Sequence, residues 1–119
     1  SSTTTREVAG GTTGYDCISH AGVAKNVLTV GAVNGIGGGY LQPSQVVASA
    51  FHGWGPTDDG RIKPDVVAKG VGVLSSSSAG DASYNTKNGT SMASPMVTGS
   101  MALLQQHYRQ LNGNTPMKA

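Results

Sequence analysis

Apolar residues gather in short dense runs along most of the chain and spread into a spaced stripe near its end. Residues 26–33, NVLTVGAV, form a near-continuous Val-rich run, the pattern of a strand buried on both faces. Residues 45–51, QVVASAF, are a second β-prone run, closed by the turn-rich HGWGPTDDG. Residues 65–76, DVVAKGVGVLSS, predict two short strands broken at Lys69-Gly70. Residues 1–16, the glycine-rich 34–43 and the polar stretch before Gly89 read as loop. From Met92 the spacing changes: Met96, Val97, Met101, Leu103, Leu104, Tyr108 and Leu111 mark one face of a long helix, closed by Asn112-Gly113. Within it, Thr98, Gly99 and Ser100 suit close approach to a neighbouring element. Strands followed by one core helix predict an α/β fold, a mainly parallel sheet with the helix packed on it.

The junction of the last turn with that helix carries the candidate chemistry. In NGTSMASP, residues 88–95, Gly89 permits a sharp turn that leaves Ser91 exposed at the helix tip. A helix N-terminus presents unpaired N–H groups and partial positive charge, able to stabilise an oxyanion when a nearby hydroxyl attacks a carbonyl. The ordinary role of serine at such a place is to cap the helix. Pro95 is tolerated close to a helix start. If Ser91 is a nucleophile, the elbow layout Gly-x-Ser-x-Gly fails, because Ala93 replaces the second glycine and no Asp or Glu follows. The order acid, histidine, serine stays open, since Asp16, His20 and His52 precede Ser91. For His20 and His52 a solvated or hydrogen-bonded role is the default, and His107 reads as a partly buried helix residue.

Composition narrows the classes. In 119 residues only 12% are charged, the net charge is +2, and the basic residues are scattered, which argues against a nucleic-acid partner. No apolar run approaches the ~18 residues of a membrane span. A single cysteine, Cys17, excludes an internal disulfide framework and a multi-cysteine metal site. GIGGGY after a strand misplaces the third glycine of a dinucleotide fingerprint, and Pro43 blocks the helix it needs. The glycosylation pattern Asn88-Gly89-Thr90 abuts Ser91, which argues against its use. The polar start lacks an initiator methionine and predicts a piece of something longer.

Three stretches, in order, resemble the subtilisin-like serine proteases (subtilases): AKNVLTVGAVN, then SAFHGWGPTDDGRIKPDVVAKG, then NGTSMASPMVTGSMALL. The resemblance covers Gly22 to Leu111 and implies the C-terminal portion of that family's three-layer fold, with 1–119 a partial catalytic domain. It implies Ser91 as nucleophile and oxyanion donor, with Gly89 and Thr90 shaping the oxyanion pocket. His52 stands where the family usually has Ser, and Lys69 where it has Pro. The family's contexts for the catalytic Asp, the catalytic His and the oxyanion Asn are absent. The implied function is a secreted serine endopeptidase acting on peptides through an acyl-enzyme on Ser91, once completed by a missing N-terminal part. The alternative is an inactive fragment serving as a folded or association module. No cofactor is expected in this chain. Calcium, common in the family, has one candidate donor stretch in TDDG, which is first a turn. The expected partners are a peptide substrate and either the missing N-terminal part or a second copy.

Overall fold

The computed structural model of the protein describes residue 18 and residues 20–118. Asp16, Cys17 and the loop expected over 1–16 lie outside the described residues. Among the described residues, strands β1 (Val30–Val33), β2 (Val66–Lys69), β3 (Val73–Ser76) and β4 (Tyr84–Lys87) precede the α-helix α1 (Thr90–Leu111). β1 and β2 pair in parallel, Val30 opposite Val66 through Val33 opposite Lys69. β3 and β4 form an antiparallel hairpin. α1 packs across both strands of the parallel pair, as the α/β reading requires.

The predicted strand over 26–33 begins only at Val30, because Val27 and Thr29 are committed to a side-chain staple. The Lys63 ammonium is buried and donates to the Val27 carbonyl (2.7 Å) and to Asp65 Oδ2 (2.6 Å). That carboxylate also accepts the Thr29 amide (2.7 Å), while the Asp65 amide returns a bond to the Thr29 carbonyl. A buried cation needs such partners. The staple aligns the entries of β1 and β2 and so fixes their register.

Two loop and strand expectations change. The 45–51 run is not a strand: it starts inside a short 3-10 turn, Pro43–Gln45, and makes a single antiparallel bridge, Ala48 to Val33. The His52 amide donates to the Ser49 carbonyl and closes a turn that ends the pairing. Conversely, the polar stretch before Gly89 contains β4. All four of its residues are exposed, so no buried alternation marks it; the hairpin turn, with Ser83 donating to Gly80 and Ser77 to Ser83, brings it against β3.

Among the described residues the buried apolar ones are few: Ala32 and Val33 on β1 and Ala93 on α1. The close helix approach expected at Thr98, Gly99 and Ser100 is not made there. These residues are exposed, and the two hydroxyls bond back to the carbonyls of Ser94 and Met96. Ala93 takes that place. His107 is exposed rather than partly buried. So is much of the apolar stripe, with Leu103 67% and Leu111 71% exposed.

A tight turn at Thr57–Arg61 carries a strongly perturbed carboxylate. Arg61 Nε grips both Asp59 oxygens (2.9 and 3.0 Å), Thr57 Oγ1 donates to one of them, and together they lower the Asp59 pKa to about 2. Lys63 and then the Thr29 amide lower Asp65 likewise. Both carboxylates are worth more to the folded state when ionised. Their contribution is therefore complete above the ordinary carboxylate range near pH ~4 and is lost as pH falls through the depressed values. NMR titration is expected to give Asp59 a midpoint near 2, moving up toward the ordinary value in Arg61→Ala. An Asp59 midpoint unchanged by that substitution would contradict the turn.

Candidate active site

Ser91 is not a helix cap. α1 starts one residue before it, Gly89 occupies the N-cap position, and no side chain caps the helix. The hydroxyl of Ser91 is exposed on the first turn and bonds to no other described residue. Gly89 has φ 154° and ψ 159°, a backbone region almost reserved for glycine. The Met92 amide turns back to the Gly89 carbonyl (3.0 Å). The amides of Thr90 and Ser91 find no protein acceptor among the described residues, so the tip of α1 offers two free donors beside the hydroxyl. Pro95 has no N–H and cannot close the usual bond to the Ser91 carbonyl.

Two bonds fasten this turn to the sheet. The Gly89 amide donates to the Gly70 carbonyl (2.8 Å), just past the end of β2. Asn88 Oδ1 accepts the Gly72 amide (2.7 Å), just before β3. Asn88 thus uses its side chain to clamp the base of the β3–β4 hairpin. Ser91 sits between two shallow hollows. One, of about 300 Å³, is lined by Ala21, Gly22, Leu28, Thr90 and Ser94 among others; the other, of about 280 Å³, is lined by Val73, Ser75, Met92, Pro95 and Met96.

The other sequence candidates part company here. His20 is exposed. His52 is buried, and its Nδ1 accepts the Ala32 amide of β1 (3.1 Å), which makes it a hydrogen-bonded histidine of the fold. Gly70 was not legible as a site residue; its only signal was the break it makes between two strands. In the TDDG stretch both Asp59 oxygens are taken by Arg61 and one also by Thr57, so that carboxylate is committed to its own turn. Among the described residues no three His, Cys, Asp or Glu side chains converge on a metal site. No helix among them is long and apolar enough to cross a membrane.

Comparison with known proteins follows the same lines. The chain is 48% identical over 60 residues to the C5a peptidase of Streptococcus pyogenes, half of this chain and 5% of that protein. It is 35% identical over 113 residues to the serine protease AprX of Bacillus subtilis, covering 83% of this chain and 25% of that one. The solved CspB protease of Clostridium perfringens superposes with a TM-score of 0.65 at 32% identity, over 84% of this chain and 20% of that structure. The chain thus spans a quarter or less of the length of each of these relatives. Residues 8–119 match the subtilase family profile, and on that match the chain belongs to the subtilase family.

Proposed function

We propose that Ser91 is the nucleophile of a secreted serine endopeptidase, and that the aspartate and histidine completing its triad lie outside these 119 residues. The observation that carries this reading is the exposed hydroxyl beside two unoccupied amides at the tip of α1. Ser91 Oγ attacks the scissile carbonyl carbon while its proton passes to the histidine. The negative charge on the carbonyl oxygen is met by the Ser91 amide, with Gly89 and Thr90 shaping the pocket around it. The C–N bond then breaks, the amine leaves with the proton, and water releases the acyl group by the reverse sequence. The substrate is a peptide or protein segment, and no cofactor enters the chemistry. The chain's other partner is the rest of the catalytic domain, or failing that a second copy, which would cover the exposed stripe of α1.

The test is labelling by a fluorophosphonate probe. The full-length protein is expected to label at Ser91, and the isolated 119-residue chain is not, because an unassisted hydroxyl loses most of a triad's catalysis. No labelling of the full-length protein would favour an inactive association module. Labelling of the isolated chain at the full-length rate would place the base within it, with His20 or His52 to be substituted in turn.

A further inference from the structure

We infer that His52 is a positioning residue for catalysis, holding the centre of β1 so that the turn before Ser91 keeps its aim; this rests on Ser91 being the nucleophile. The argument begins with how the edge of β1 is occupied. Asn34 donates to Val47, and Ser49 donates to the Ala32 carbonyl, so the 47–49 segment supplies backbone partners to part of the strand. The next β1 group, the Ala32 amide, receives no backbone acceptor and is taken by His52 Nδ1 instead. An imidazole that accepts at Nδ1 is neutral and carries its proton on Nε2. The ring lies flush against the strand: a Cβ on Gly31 would stand 2.1 Å from its Cε1. Trp54 meets it edge-on at 5.2 Å, and His52 is only 5% exposed.

The other side of Ala32 leads to the nucleophile. Its methyl fills the space a Gly70 side chain would need, since a Cβ there would lie 2.6 Å from Ala32 Cβ and 2.8 Å from the Gly89 carbonyl oxygen. Gly70 donates to the Val33 carbonyl (3.0 Å) and accepts from Gly89 (2.8 Å). From the imidazole to the N-cap of α1 the links are hydrogen bonds and the close approach of Ala32 to Gly70. Ala32 itself is fully buried beside Gly70, so a shift at this residue is passed on to its packed neighbours. Displacing β1 at Ala32 therefore moves Gly70, and with it the Gly89 turn that aims the Thr90 and Ser91 amides. Misplacement by about 1 Å is enough to cost up to ~100-fold in rate.

The experiment compares His52→Asn with His52→Gln in the full-length enzyme. Asn Oδ1 falls near the place of Nδ1, whereas Gln carries its acceptor farther out, near Nε2. The expected result is that Asn keeps most of kcat and of the fluorophosphonate labelling rate at Ser91. Gln is expected to lose about 10- to 100-fold in both, with KM little changed. The Gly89 amide resonance should move in the Gln variant and stay near its wild-type position in the Asn variant. Equal labelling rates and kcat for the two variants, or a loss confined to melting temperature, would overturn the inference. A Ser91→Ala control separates the two readings: if it still turns over substrate, the nucleophile assignment fails, and if it is inactive while Asn and Gln behave alike, only the role of His52 fails.

Discussion

Ser91→Ala in the full-length protein is expected to abolish acyl-enzyme formation and lower kcat by on the order of 10⁶-fold, the magnitude established for subtilisin, a member of the same family. The fold should be left in place. The side chain is exposed, bonds to no described residue and does not cap α1, so removing its hydroxyl leaves no buried polar group unsatisfied and creates no cavity. Burst-phase kinetics with an ester substrate and a melting curve measure the two halves separately. A burst that survives the substitution would move the nucleophile elsewhere. A large drop in melting temperature would mean that the serine serves the fold.

Gly89→Ala is expected to cost turnover far more than stability. A Cβ at this position would meet only Met92 Sδ at 3.6 Å and the Ser91 nitrogen at 3.7 Å, both ordinary contacts. Crowding is therefore not the problem; the torsion is. At φ 154° an alanine either accepts backbone strain of about 1–3 kcal/mol or relaxes the turn. Relaxation swings the first amides of α1 away from the place where the oxyanion forms. The expected loss is on the order of 100-fold in kcat, comparable to deleting one oxyanion donor in a subtilisin. KM should change less than kcat, because the side chains lining the hollows on either side of Ser91 are all retained. Full turnover in Gly89→Ala, measured beside an unchanged melting temperature, would show that the turn has no catalytic tuning.

How much of this was legible in the sequence follows from where each signal resides. The helix could be read because its apolar residues repeat at helical spacing along α1, and β1 and β2 because short Val-rich runs suit a buried strand. β4 was illegible because Tyr84–Lys87 has no buried face; pairing alone makes it a strand. The 45–51 run misled in the opposite sense. Its valines suit a strand, yet Val47 is 53% exposed and a turn at Ser49 stops the ladder after one bridge. At the site, the motif around Ser91 showed the turn and the helix start. It did not show that Gly89 would take the N-cap position, nor that its amide would bond to Gly70. That bond joins segments far apart along the chain, and residue order carries no such distances. The role of His52 was hidden for the same reason: a histidine in a loop gives no sign of the strand amide it will accept.

The clamp at the base of the β3–β4 hairpin bears on how the protein can be instrumented. Gly70 with Gly89, and Gly72 with Asn88, hold the two ends of the hairpin at fixed points, while its far end at Ser78–Asp81 is exposed and bonds only within its own turn. Extra residues placed at that far end lie beyond the ladder, on the opposite side from both clamps. The tip is thus an attachment point for a fluorophore or affinity tag that leaves both clamps in place.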